Sequence, residues 1–269
     1  MNWEKKKLLV TVKAYPEHSK KHGDVVCTAG ITEEGEMIRL YPVPVEYFTG
    51  NNRIPKYSWI EVECKKASEK LNRKESYKIR TTLTDPINIL DTSMTHLNKS
   101  ITDWEKRRKY IDPLVSTSVE ELKEKFNVDR TSLGIIKAGD LIDFYTEKDL
   151  DELSIETSNF VQKTLFGDRK RPLDEIPHVF KYRFRCSEDC PGEHNMTVVD
   201  WELYESYRKW SDHYEDNETL WEKLYQRYYD EFKEKDLHFY MGTHSRYPTW
   251  MIIGLFYPPK RTYKRLNDF

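Results

Sequence analysis

Apolar and polar positions alternate from the start of the chain. Lys7 to Lys13 puts Leu8, Val10 and Val12 on one face and Leu9, Thr11 and Lys13 on the other, the period-two mark of a half-buried strand. A polar loop with His18, His22 and Gly23 follows, and Val25 to Ile31 reads as a second strand. Glu33-Glu34-Gly35 turns the chain, and Met37 to Tyr41 returns it as a hairpin that Pro42 and Pro44 end. Lys56 to Lys65, with Ile60, Val62 and Cys64 on one face, and Ser76 to Leu83 supply a fourth and a fifth strand. Short strands and tight turns in this density predict a small β-barrel.

The middle turns helical. Thr102 or Asp103 can cap a helix through Trp104, Arg107, Arg108 and Ile111 that Pro113 stops; Ser118 with Glu121 is a second start, followed by Leu122 and Phe126. Gly134 to Lys137 and Leu141 to Tyr145, joined through Gly139-Asp140, have the same character as the first strands. They are read as completing the barrel, with the helices as an insertion near 92–127 in a domain spanning 1–150. This barrel with its Gly-Asp hairpin resembles the SH3-like and PUA-like barrels used in RNA and DNA binding. The resemblance covers 1–150 and is one of fold.

Residues 151–172 read as a linker, with a helix near Asn159 to Leu165 and the basic loop Arg169-Lys170-Arg171-Pro172 at its end. From 173 to 269 the pattern gives strands His178 to Cys186 and Met196 to Val199. Helices Asp200 to Trp210 and Glu218 to Lys233 follow, then strands Leu237 to Thr243 and Trp250 to Tyr257. The order ββααββ predicts an antiparallel α+β domain, and the chain as a whole is α+β.

Composition narrows the function classes less than the pattern narrows the fold. The net charge of -2 comes from abundant acids and bases in near balance, so only local clusters can mark a nucleic-acid partner. Seven Trp, 18 Tyr and 11 Phe supply a core and argue against disorder. The N-terminus has no apolar run of signal-peptide length, and Trp250 to Tyr257 is too short to span a bilayer. A cytoplasmic protein without a membrane partner is expected, and its four cysteines are then reduced thiols or metal ligands. No phosphate-cradling Gly-rich loop or dinucleotide fingerprint occurs.

The chemistry concentrates between His178 and Glu202. Cys186, Cys190 and His194 stand as Cys-x3-Cys-x3-His between two strands, a ligand set suited to zinc, with His244, Asp189 or water as the fourth ligand. The alternative is two thiols and a loop histidine without metal. Asp200 and Glu202 read either as first-turn helix acids or as a catalytic, metal-holding pair. Lys181, Arg183 and Arg185 share one strand face, either as a phosphate track or as a solvated surface. Arg246 and His244 lie in a polar loop, and Arg39, Tyr41, Tyr47, Arg53, Tyr57 and Trp59 mix cations with aromatics in the barrel.

The leading expectation is a nucleic-acid-binding protein with a zinc-stapled loop. Lys181, Arg183, Arg185, Arg246, Arg39 and Trp59 would contact DNA or RNA. A metal-dependent nuclease built on Asp200, Glu202, His194 and His244 is the alternative. A structural or interaction protein with the same loop is the third.

Overall fold

The structure, a computed structural model, describes residues 2–15, 17–19, 23–49, 53–68, 73–83, 86–90, 100–148, 176, 178–187, 190–214, 216–244 and 249–261. The expected linker at 151–172, with its helix and its basic loop, lies outside them. So do Asp189 and Arg246.

The first strands are β1 (Glu4–Lys13), β2 (Glu17–Ser19), β3 (Gly23–Thr32), β4 (Met37–Pro44), β5 (Trp59–Lys66), β6 (Ser76–Ile79) and β7 (Ile87–Ile89). β1 pairs along both edges, with β3 on one side and β5 on the other. β3–β4 and β5–β6 are antiparallel, and β4–β6 is parallel. The ring therefore closes in the order β1-β3-β4-β6-β5 and back to β1, with β2 and β7 added outside it. Leu8, Val10, Val26, Ile38, Leu40, Ile60 and Val62 fill the interior, each at most 2% exposed. Full burial of each such side chain stabilises by about 1.5–3 kcal/mol. Bulges between Val10 and Val12 and between Val26 and Thr28 bend the long strands. Gly30 permits the closest approach, since a Cβ there would lie 2.3 Å from the Leu9 carbonyl oxygen. The 3-10 turn Val45–Phe48 puts buried Phe48 into the barrel core. The expected barrel is present, and its strand order refines the SH3- and PUA-like analogy.

Two helices carry the chain out of the barrel. α1 (Trp104–Ile111) is capped by Asp103, which accepts from Lys106 N at 2.8 Å. β8 (Val115–Ser116) follows, then α2 (Val119–Asp129). Ser118 caps α2 at Glu121 N, and the Glu121 carboxylate accepts from Thr117 N in return. Next come β9 (Leu133–Lys137), β10 (Asp140–Lys148), β11 (His178–Arg185), β12 (His194–Val198), α3 (Trp201–Ser211) and α4 (Asn217–Tyr225). A π-turn, Gln226–Asp230, and a short turn, Glu231–Lys233, prolong α4 before β13 (His238–Thr243) and β14 (Trp250–Phe256).

These strands form one sheet in the order β10-β11-β12-β14-β13-β9-β8. The predicted order ββααββ is observed from β11 to β14. Most pairings are antiparallel, with short parallel contacts at β12–β14 and β8–β9. One expectation is corrected: β9 and β10 do not complete the barrel. β9 pairs with β13 and β10 with β11, because the β1–β5 pairing has already closed the ring and left no edge to receive them. The helices α1 and α2 thus connect barrel and sheet and are not inserted in the barrel. The second unit correspondingly starts near β8, well before the predicted boundary.

Helices cover one face of the second sheet and the barrel covers part of the other. Leu122, Leu203, Leu224 and Phe232 pack on Phe144, Phe180, Tyr182, Phe184 and Phe239. On the opposite face Val12, Ala29 and Ile31 of the barrel meet Ile135, Tyr240, Ile253 and Phe256. Part of the outer β3–β4 surface is buried this way. Among the described residues no helix is long and apolar enough to cross a membrane.

Candidate metal centre and nucleic-acid interface

The hairpin between β11 and β12 assembles Cys186, Cys190 and His194. Register pairs Phe184 with His194, and Cys186, two residues beyond Phe184, returns to the same buried face. The His194 Nε2 atom is 3.4 Å from Cys186 Sγ and 3.1 Å from Cys190 Sγ, and the sulfurs are 3.4 Å apart. Glu120, in the first turn of α2, completes the group: its Oε2 is 3.7 Å from His194 Nε2 and 4.0 Å from Cys186 Sγ. A tetrahedral zinc with bonds of 2.0–2.3 Å would separate its ligand atoms by about 3.3–3.8 Å. The three loop donors stand 3.1–3.4 Å apart, and all four donor atoms lie within 4.8 Å of one another. They are the one metal-ready group among the described residues.

The surroundings favour the deprotonated form at Cys190 and His194 and oppose it at Cys186. Burial pushes the Cys186 thiol up, against a backbone hydrogen bond from Val119 at the α2 N-terminus. Burial also opposes ionisation of Cys190, but backbone hydrogen bonds at Cys186 and Gly192 outweigh it and bring that thiol below its usual value. Burial lowers His194 and favours the neutral imidazole that a metal requires, with Glu120 working the other way. Sequence reasoning missed Glu120, whose only local signal is that of a first-turn helix acid. His244 is no member of this group.

The proposed catalytic constellation is not assembled. Asp200, 1% exposed, caps α3 by accepting from Glu202 N and Leu203 N, and also accepts from Leu255 N. Its Oδ2 lies 3.6 Å from the Nζ of buried Lys56, which also meets Glu202 at 3.4 Å and the Leu255 carbonyl at 2.8 Å. Burial works against the Lys56 charge, yet the Glu202 and Asp200 carboxylates prevail and raise its pKa. Asp200 and Glu202 are therefore held by a lysine, while His194 sits in the cysteine loop and His244 at the end of β13. No common metal position joins them among the described residues.

The basic strand is largely answered by acids. Lys181 pairs with Glu147 at 2.7 Å across the β10–β11 ladder. Arg183 approaches Asp143 and Glu193, each at 3.8 Å, and Arg185 approaches Glu193 at 3.5 Å. Trp59 is 8% exposed and sits edge-on against Tyr110 at 5.7 Å, so it is part of the wall and offers no open ring face.

Arg39 and His244 do line one cleft, between the two units. The outer β3–β4 surface lines this cleft with Val25, Cys27, Arg39 and Tyr41, and Thr243, His244 and Ile253 of the second sheet line it too. The enclosed volume is about 200 Å³. The Arg39 guanidinium, 2% exposed, donates to Ser132 Oγ at 3.3 Å and to the Ser132 carbonyl at 3.1 Å. Ser132 Oγ donates onward to Glu75 at 2.8 Å, so the acid reaches the arginine only through the serine. Arg73 donates to the Thr243 carbonyl at 2.7 Å, and Tyr41 is 40% exposed. Lys78 is an exposed cation on the rim.

Residues 4–113 match the family described as Domain of unknown function (DUF8758), and residues 115–269 match Domain of unknown function (DUF8757). The junction falls between α1 and β8, where the barrel unit ends. No curated protein matches the chain. Among solved structures, "Structure of murine DNA binding protein bound with ds DNA" is 11% identical with a TM-score of 0.32, covering 100% of both chains. "Structure and Conformational Change of a Replication Protein A Heterotrimer Bound to ssDNA" is 11% identical with a TM-score of 0.35, covering 97% of this chain and 50% of that one. Likeness at that level assigns this chain neither a fold nor a ligand.

Proposed function

We propose that this chain, which belongs to the family Domain of unknown function (DUF8757), binds single-stranded nucleic acid in the cleft over β3 and β4. The observation that carries the reading is the gathering of Arg39, Arg73, Tyr41 and His244 around one cleft, with Arg39 buried at its base and Tyr41 exposed. Cations along a groove draw the phosphate backbone, and an exposed tyrosine offers a ring for a base, worth about 1–3 kcal/mol per stacked base. Strand order lends support by analogy. A closed ring in which the first strand pairs with the second and fourth is the connectivity of the oligonucleotide- and oligosaccharide-binding barrel, whose second and third strands present the ligand face. The cations in the cleft favour a polyanion over a neutral sugar. In this reading the Cys186, Cys190, His194 and Glu120 group holds a structural zinc that fixes α2 to the hairpin, and takes no part in the contact.

The test is fluorescence anisotropy with labelled single-stranded DNA and RNA of about twelve nucleotides across a salt series. With two to three phosphates neutralised, log K should fall against log salt with a slope of about -1.4 to -2.1. Absent binding, or binding indifferent to salt, would overturn the proposal.

A further inference from the structure

A second cavity, of about 670 Å³, shares no lining residue with the β3–β4 cleft. Lys13 reaches it from the end of β1, Arg53 stands at its mouth, and Trp104, Trp201 and Trp210 form part of its walls. Its volume lies in the range typical of small-molecule sites, about 300–1,000 Å³. Neither the β3–β4 cleft nor the cysteine–histidine group draws on it.

Lys13 is the feature that needs explaining. The residue is 8% exposed, yet its Nζ has no hydrogen bond and no ion pair among the described residues; it lies over the Phe48 ring, 5.3 Å from the centroid. The two carboxylates in the neighbourhood, Asp200 and Glu202, are within ion-pair distance of Lys56 instead. Glu205, also on the wall, accepts from Arg208 at 3.1 Å. The Lys13 ammonium faces the cavity without an acceptor, and a second cation at Arg53, which makes no ion pair among the described residues, adds to the positive potential. The site is therefore built to receive an anion. Half-buried Trp104 and Trp210 flank it and offer flat apolar surface next to the charge.

We propose that this cavity binds a nucleoside monophosphate group, its phosphate on Lys13 and Arg53 and its base against the tryptophan wall. The same group occurs in a free mononucleotide and at the phosphorylated end of a strand. Titration of Lys13 accords with the geometry. Burial, with Lys56 and Arg53 nearby, pushes its pKa down to about 8 against the pull of Glu202 and Asp200; the group is still mainly an ammonium at neutral pH, and an arriving phosphate would raise its pKa.

The tryptophans provide the readout. Intrinsic fluorescence and calorimetry on the full chain would follow AMP, GMP, CMP and UMP, with adenosine and inorganic phosphate as controls. A 5′-phosphorylated and a 5′-hydroxyl oligonucleotide would be compared in parallel. At least one monophosphate, or the phosphorylated end, should bind about tenfold or more tightly than its unphosphorylated counterpart. Lys13→Met should remove that preference while circular dichroism and melting stay those of the parent. Arg53→Ala, at an exposed position, should weaken it several-fold and serves if Lys13→Met does not fold. Tyr41→Ala, in the other cleft, should leave it unchanged. No preference for phosphate in either arm, or a preference that survives both Lys13→Met and Arg53→Ala, would overturn the proposal. Loss of salt-sensitive strand binding with monophosphate binding intact would instead count against the β3–β4 cleft alone.

Discussion

Glu120 Oε2 lies 3.7 Å from His194 Nε2, although one residue opens a helix and the other a strand. That contact turns a three-residue loop motif into a four-donor cage. Metal mass spectrometry of the purified protein should find about one zinc per chain, lost in Cys186→Ser. Glu120→Ala should weaken binding by about tenfold or more while retaining some metal, because three donors remain. A chelator should lower the melting temperature of the parent and leave Cys186→Ser unmoved. Metal-free parent protein, prepared without chelators and supplied with zinc, would contradict this.

Gly134 tests whether the cage depends on the packing of α2. A Cβ at that position would lie 2.3 Å from Leu122 Cδ2, on the helix that carries Glu120. Gly134→Ala should destabilise by about 1–3 kcal/mol through overpacking. Zinc affinity should fall with it, because the displaced helix takes Glu120 along. Unfolding in urea with and without zinc would separate the two effects. Loss of stability with undiminished zinc affinity would show that the cage does not rely on this contact.

A buried ion-pair network ties α1 to the second sheet and gives a pH prediction. Arg108, 2% exposed, donates to Asp236 at 2.8 Å and to the Pro259 carbonyl at 3.0 Å, and Lys137 meets Asp236 at 2.8 Å. Burial opposes the Asp236 charge, but hydrogen bonds from Lys137 and Arg108 hold its pKa below the usual value. A carboxyl depressed on folding contributes stability that is full above its unfolded pKa, about 3.9, and is lost as pH falls through the folded value. Asp236→Asn should therefore cost about 2–4 kcal/mol at pH 7, with the gap from the parent narrowing below about pH 4. Denaturant titrations at both pH values check it, and a gap independent of pH would remove Asp236 from the account.

Sequence periodicity revealed faces more readily than partners. The alternation in β1 and β5, the Ser118–Glu121 cap and the strand–strand–helix–helix–strand–strand order are local signals, and each is observed. β9 and β10 have strand character too, but alternation does not say which edge a strand will join, and barrel closure by β1 and β5 decided that. Arg39 and Trp59 look like surface groups on a half-buried strand; a second sheet and α1 cover them, so both faces are inside. Arg183 and Arg185 look like a free basic track until Glu193 and Asp143 fold beside them. The cysteine–histidine loop was legible because Cys186, Cys190 and His194 are close in sequence. Glu120 was not, because only the packing of α2 on the hairpin brings it there.

The central claim is that the cleft over β3 and β4, and not the basic β11 strand, engages the nucleic acid. Anisotropy titrations of one single-stranded oligonucleotide against two variants decide it most directly: Tyr41→Ala with Arg73→Ala, and Arg183→Ala with Arg185→Ala. The first pair should weaken binding by about tenfold or more, from the loss of one stacked base and one phosphate contact, and the second by less than about threefold. Undiminished affinity in the cleft variant, with loss confined to the β11 variant, would contradict the account.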